Sequence, residues 1–306
     1  MQLRKVKSMQ ALTIEKISKS FANFYAVKDL SLTVPQGTIF GLLGPNGAGK
    51  TTTIRMIMGI ILPDSGQIRI FGQNNSVGIR DQIGYLPEER GLYRKMKVRD
   101  ILFFFAELKA VPKTQIEKQI DYWLERLDLA KWQDKKAEER SRGMQQKLQF
   151  LLTIFHDPQL IILDEPFAGL DPVNTNLIKD IILEQKKQGK TIIFSTHLME
   201  QVEKMCDSIC LINKGQRVLD GALQEVKRRY GHNHVVMEYE GKADFLDDST
   251  LVDSHDDYGQ YVEIHLRKGA DPQALLSRAL DTAKIHRFEV VEPSLNEIFI
   301  DVVSGK

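Results

Sequence analysis

An α/β domain built on a largely parallel sheet, with a helical insert and a small α+β domain behind it, is the fold class the sequence predicts. Three observations carry that reading. Short apolar runs alternate with helical patterns from Leu12 to about Gly221, apolar residues recur at helical spacing between about 90 and 154, and the texture changes again after Gly221. The clearest strands are TIFGLL (Thr38 to Leu43), LIILD (Leu160 to Asp164) and TIIFST (Thr191 to Thr196). Runs this apolar suit strands buried on both faces. Between the first two, Ile101, Phe104, Phe105 and Leu108, then Ile116, Ile120, Trp123, Leu124 and Leu127, mark helices with one apolar face. Beyond Gly221, HVVMEYE, QYVEIHL and IHRFEVVE read as strands and DPQALLSRAL as a helix starting at Asp271. The domains are therefore expected at 1–221 and 222–306.

Lysine and arginine total 42 against 41 acids, a net charge of +1, so no basic excess argues for nucleic acid. No apolar run approaches the roughly 20 residues that span a bilayer. The start, MQLRKVKSMQ, lacks the apolar segment of a secretory signal. Cys206 and Cys210 have no second cysteine pair and read as reduced core thiols. His232 and His234 read as exposed turn residues beside no carboxylate cluster.

Residues 44–51, Gly-Pro-Asn-Gly-Ala-Gly-Lys-Thr, fit G-x-x-x-x-G-K-[ST] between an apolar strand and a helical stretch. Gly44, Gly47 and Gly49 let the backbone of Pro45, Asn46 and Ala48 curl so that N–H groups face phosphate oxygens. The helix entered through Lys50, Thr51 and Thr52 adds its positive end. Lys50 is expected at the β- and γ-phosphates, and the Thr51 hydroxyl on Mg²⁺. LIILDEP delivers Asp164 to the sheet's C-terminal edge, suited to Mg²⁺ directly or through water, with Glu165 placed to orient and deprotonate an attacking water. TIIFSTH ends at the same edge and brings His197 toward the γ-phosphate.

With these residues in view, the chain resembles the ATP-binding subunits of ABC transporters over about Leu12 to Gly221. ERSRGMQQKLQF is similar to the family's signature segment, usually L-S-G-G-Q, with Ser141 and Gly143 at its serine and second glycine. Arg140, Arg142 and Met144 depart from it. The resemblance implies that the Ser141 hydroxyl and Gly143 N–H bind phosphate at a helix start, where Ser141 also suits a cap. AGLD, ending at Asp171, corresponds to the D-loop that couples two halves of a dimer. Phe21 fits the aromatic position that stacks on adenine. IGYLPEE resembles a segment that usually ends Pro-Gln, and here Glu88 replaces the glutamine. A carboxylate still accepts from Mg²⁺-bound water but adds negative charge and cannot donate, so altered Mg²⁺ dependence is expected. EPSLNEIFIDVV is similar to the extension of ABC-2-type export ATPases, including sodium- and drug-efflux types.

The resemblance implies a P-loop NTPase core of RecA-like type with a helical subdomain at about 90–154, and ATP with Mg²⁺ as ligands. It also implies a head-to-tail homodimer or a heterodimer with a related ATPase. Separate transmembrane permease subunits, docked by the insert near Glu88 to Arg99, would hold the chain peripherally at the cytoplasmic face of the cell membrane. The alternative is a soluble ABC ATPase that remodels a nucleic-acid or ribosomal partner. Such proteins usually carry paired cassettes or long coiled-coil inserts, which this sequence lacks.

Overall fold

Alternation in DLSLTVP sets the first layer: Leu30, Leu32 and Val34 are buried, Ser31 is half-buried and Thr33 is exposed. Such one-sided strands pair antiparallel. The computed structural model describes residues 9–74, 78–89, 91, 93, 95–139, 141–230, 234–267 and 269–304. It divides into two units, Met1–Gly221 and Ala222–Lys306.

The first unit opens with strands β1 (Gln10–Phe21), β2 (Phe24–Pro35) and β3 (Ile39–Leu43), then helix α1 (Lys50–Ile57) and strands β4 (Ser65–Ile70), β5 (Gln73–Asn74) and β6 (Ile83–Leu86). Helices α2 (Val98–Leu108), α3 (Lys113–Arg126) and α4 (Arg142–Ile154) follow. β7 (Leu160–Asp164), α5 (Pro172–Lys187), β8 (Thr191–Thr196), α6 (Met199–Met205), β9 (Ser208–Asn213) and β10 (Gln216–Ala222) close the run.

Two sheets result. One has the order β2-β1-β4-β5 with antiparallel pairing; the other has the order β10-β9-β3-β8-β7-β6, with parallel pairs β3/β8, β3/β9, β7/β8 and β6/β7. The largely parallel sheet expected between Leu12 and Gly221 is present, and an antiparallel layer accompanies it, because the first strands carry the alternating pattern of a half-buried antiparallel layer. Every residue of β3, β7 and β8 is buried. Leu43 pairs with Thr196 and Asp164 with Ser195, so three strands end together at one edge of the sheet.

In the helical stretch, Ile116, Ile120 and Leu124 recur every four residues on the buried face of α3. Phe104 and Leu108, expected on the buried face of α2, are exposed instead. Val98, Ile101, Leu102 and Ala106 form that face. Phe104 packs edge-on against Tyr93. Cys206 and Cys210 are free and buried, with burial pushing the Cys210 thiol up to about 12. No described helix is long and apolar enough to cross a membrane.

The second unit comprises α7 (Leu223–Arg229), β11 (His234–Gly241), β12 (Val252–Asp257), β13 (Val262–Leu266), α8 (Pro272–Leu280), β14 (Ala283–Val291) and α9 (Leu295–Ser304). Its antiparallel sheet runs β12-β13-β11-β14. Val235 and Met237 of β11 and Val262, Ile264 and Leu266 of β13 pack into a core with Phe245 and Leu275. The alternate residues, His234, Val236, Glu263 and His265, turn to the other face. Asp271 caps α8 by accepting from Gln273 N at 3.0 Å, ahead of Pro272 at the first helical position. Ser294 and Glu297 form a reciprocal cap on α9, with Glu297 N to Ser294 Oγ at 3.2 Å and Ser294 N to Glu297 Oε2 at 2.6 Å.

β12 was not anticipated: apart from Val252 its residues are exposed and largely acidic, so no apolar pattern marks it. His234 is also corrected. It lies half-buried in β11 with Nδ1 3.0 Å from Glu297 Oε1, because the strand ladder and α9 bring together what the sequence separates. His232 and Arg140 lie outside the described residues.

Candidate functional site

The sheet edge where β3, β7 and β8 end opens onto a cavity of about 320 Å³. The cavity is lined by residues 46–52, by Glu88, Asp164 and Glu165, and by Phe21, Phe24 and Ala26. The backbone after β3 curls as the glycines permit. Gly47 has φ +77 and open space where a Cβ would stand, which leaves room for a ligand against the main chain. Gly49 has φ +107, and a Cβ there would meet Ala26 O at 2.4 Å, so this turn admits no larger residue. α1 begins directly at Lys50 and points its N-terminus at the cavity side of the loop.

Lys50 is 6% exposed, and its ammonium donates to Gly44 O at 2.8 Å and Pro45 O at 3.1 Å. Burial pushes its pKa down, against the opposing pull of Glu165, Asp164 and Glu88. The ammonium therefore sits among three carboxylates and inside the loop that it braces. Such a group meets an incoming anion with little reorganisation.

Asp164 is fully buried. Burial raises its pKa, while the nearby Ser195 and Thr51 hydroxyls pull it the other way. Ser195 Oγ donates to Asp164 Oδ1, and Asp164 Oδ2 is buried with no hydrogen-bond partner. A buried orphan oxygen is costly unless something completes it. Thr51 Oγ1 lies 3.5 Å from Glu88 Oε2, so a hydroxyl and two carboxylates converge there. This all-oxygen donor set suits a hard divalent cation such as Mg²⁺.

Glu165 holds a left-handed backbone with φ +49, a conformation a non-glycine residue adopts at some cost. Its N–H bonds Ser195 O at 3.2 Å. Its carboxylate is held from two sides, by Thr196 Oγ1 at 3.2 Å and His197 Nδ1 at 2.9 Å. When His197 donates from Nδ1, its Nε2 remains as an acceptor. The Glu165 side chain is 11% exposed and that of His197 51%, so the acid is sheltered and the imidazole faces outward.

Phe21 and Phe24 are exposed, at 50% and 62%, flat apolar surfaces beside the loop, and Lys19 Nζ lies 5.8 Å from the Phe21 ring centre. Ser141 caps α4, its hydroxyl accepting from Met144 N at 3.3 Å. Gly143 lies against the 168–171 segment, where a Cβ would come 3.6 Å from Leu170 and 3.7 Å from Gly169 O. Gln146 Nε2 donates to Pro166 O at 3.2 Å, joining α4 to the loop after β7. Asp171 caps α5 by accepting from Asn174 N at 2.9 Å.

The structure thus gathers Phe21, residues 46–52, Glu88, Asp164 and Glu165 around one cavity, while Gly44 and Pro45 hold Lys50 from behind. His197 joins through Glu165. Ser141, Gly143 and Asp171 are not among the lining residues. Sequence reasoning missed Phe24, Ser195 and Thr196. The last two were findable as polar residues closing an otherwise apolar strand, where burial demands a partner for each hydroxyl.

Residues 27–168 match the family model described as ABC transporter, and residues 221–303 match ATP-binding protein DrrA1-3-like, C-terminal domain. The uncharacterized ABC transporter ATP-binding protein YhaQ of Bacillus subtilis (strain 168) is 42% identical over 96% of this chain and 99% of its own. Nod factor export ATP-binding protein I of Rhizobium sp. (strain N33) is 32% identical over 96% of this chain and 97% of its own. Among solved structures, an ATP-binding subunit of an ABC transporter superposes with TM-score 0.68 at 30% identity, covering 72% of this chain and 93% of that one.

Proposed function

The chain belongs to the ATP-binding proteins of ABC transporters and is an ATPase; from that premise we propose that it powers a membrane exporter by closing as a dimer on ATP and reopening after hydrolysis. The observation that carries this reading is the split between the two sets of motif residues. Lys50, Thr51, Asp164 and Glu165 share one cavity, whereas Ser141, Gly143 and Asp171 lie away from its lining. A second chain, identical or related, supplies the missing half-site.

In this reading the backbone of residues 44–52 and the Lys50 ammonium hold the β- and γ-phosphates. Phe21 stacks on adenine, and the exposed Phe24 beside it widens the apolar platform. Thr51, Asp164 and Glu88 would hold Mg²⁺, which would supply positive charge against that of the phosphates. Glu88 adds a negative charge where relatives of this type usually carry an amide, so the Mg²⁺ requirement is altered. Glu165 takes the proton of the attacking water, held in place by Thr196 and His197. The bond from water oxygen to the γ-phosphorus forms as the bond to the bridging oxygen breaks, leaving ADP and phosphate. Closure is favoured by the γ-phosphate and lost with it, a two-state element that can do work on an attached protein.

That attached protein is a pair of permease subunits on separate polypeptides, which places the chain peripherally at the cytoplasmic face of the cell membrane. Support comes from the likeness to the Nod factor export ATPase and from the DrrA-like second domain. The Glu165→Gln chain, purified from native membranes with ATP and Mg²⁺ and examined by mass spectrometry, tests the reading. It is expected to hydrolyse ATP about 10²–10⁴-fold more slowly, to persist as a dimer and to bring an integral membrane protein with it. Soluble partners alone would overturn the exporter in favour of a remodelling ATPase, and undiminished turnover would remove Glu165 from the chemistry.

A further inference from the structure

His234 on β11 and His265 on β13 stand directly opposite each other in the antiparallel ladder, on the face turned away from the core. Their rings meet edge to face with centroids 4.3 Å apart, and His234 Nε2 lies 3.3 Å from His265 Nδ1. The outer nitrogen of each ring faces an acid. His234 Nδ1 is 3.0 Å from Glu297 Oε1, and His265 Nε2 is 3.6 Å from Asp256 Oδ2. A carboxylate favours the tautomer that carries the proton on the nitrogen it faces. The inner nitrogens share one hydrogen bond, and a cation that displaces its proton would find two nitrogen donors there.

The surroundings favour a cation strongly. A cavity of about 730 Å³ opens on this face, and Asp256, Glu263, Glu292, Glu297 and Asp301 line it with no lysine or arginine among its described lining residues. The negative potential is felt by Tyr258, whose hydroxyl is pushed up first by Glu263 and then by burial and Asp256. The 3.3 Å gap between the inner nitrogens matches the edge of a tetrahedral site. Zinc–nitrogen bonds of about 2.0–2.1 Å at the tetrahedral angle place two nitrogens about 3.3 Å apart. One donor atom each from His234, His265 and Glu297 lies within 4.8 Å of the other two. Acids behind ligating imidazoles are the usual supporting partners of such sites.

We propose that His234 and His265, with Glu297 behind His234, form a binding site for a divalent transition metal of the zinc class in the second unit, separate from the nucleotide cavity. The two imidazoles are the primary clamp. Glu297 holds His234 Nδ1 and so orients that ring from behind, and the remaining positions are left to water or to a ligand group. Because the three residues come from β11, β13 and α9, the metal would also fasten the C-terminal helix to the sheet.

The test is a zinc titration of the full chain, stripped with EDTA and then kept at saturating Mg²⁺ and ADP so that the phosphate loop is occupied. Calorimetry is expected to show one zinc bound per chain, with affinity reduced at least about tenfold in His265→Gln and lost in the His234→Gln/His265→Gln double variant. Nitrogen-15 spectra of the wild-type histidines supply a readout independent of variant folding. Zinc-dependent shifts at His234 Nε2 and His265 Nδ1 are expected. Equal zinc binding by wild type and double variant overturns the site, as does a spectrum in which a proton bridges the rings and zinc changes nothing.

Discussion

The two cavities balance charge differently. The one at the edge of the parallel sheet sets a buried lysine and the loop backbone against three carboxylates, whereas the one on the second unit's sheet has five carboxylates and two histidines with no lysine or arginine among its described lining residues. Their construction differs as much as their charge. The first gathers groups at strand ends, where parallel strands terminate together and each loop reaches the same edge. The second gathers side chains from strand faces, where position depends on which residues the ladder sets opposite one another. A strand-end site is carried by short continuous segments, and a strand-face site has no local signature.

Lys50→Ala breaks the first cavity most severely. It removes the only buried cation among the cavity's described lining residues and the two bonds that brace the loop at Gly44 and Pro45, so ATPase activity is expected to fall about 10²-fold or more. Loss of nucleotide binding, measured with a fluorescent ATP analogue, should accompany it. Zinc binding by the second unit should be unaffected, which keeps the two cavities independent.

Ser195→Ala sharpens the account of the first cavity. It leaves Asp164 without its supporting hydroxyl, and a Mg²⁺ titration of ATPase activity should shift about 10-fold or more toward higher concentration. An unchanged titration would mean that the orphan Asp164 oxygen is not turned to metal.

The smallest effect belongs to Glu297→Gln. Burial pushes this carboxyl up, but hydrogen bonds from His234 and Ser294 outweigh it and hold it at about 2, below its ordinary 4.5. A depressed carboxyl contributes stability above its unfolded value and loses it as pH falls through the folded one. At neutral pH the variant should therefore be less stable by about 1 kcal/mol, given that the pair is only part-buried. The gap from wild type should close between pH 4.5 and 2, as read by urea melts of the full chain.

The comparison also explains what could be read in advance. Gly44 to Thr52, Asp164 with Glu165, and His197 were legible because each closes an apolar strand. Ser141 and Asp271 were legible as helix caps, since a cap needs only its own next few residues. Ser195 and Thr196 were passed over because their partners, Asp164 and Glu165, come from the neighbouring strand. The antiparallel β1–β2–β4–β5 layer carries its alternation in the sequence, whereas the exposure of Phe104 and Leu108 does not show in a helix whose apolar residues almost encircle it.

By itself, then, the sequence determined the glycine-rich loop before α1, the acidic strand end, the main helices and the change of texture near Gly221, because local backbone preference and apolar periodicity are enough to specify them. Only the tertiary structure decided that His197 and Thr196 grip Glu165, that Asp164 keeps one oxygen unpartnered, and that His234 faces His265 with Glu297 behind it. Those contacts depend on strand register and helix docking across 30 or more residues of chain. Such pairings are set by burial of the whole sheet rather than by any segment alone.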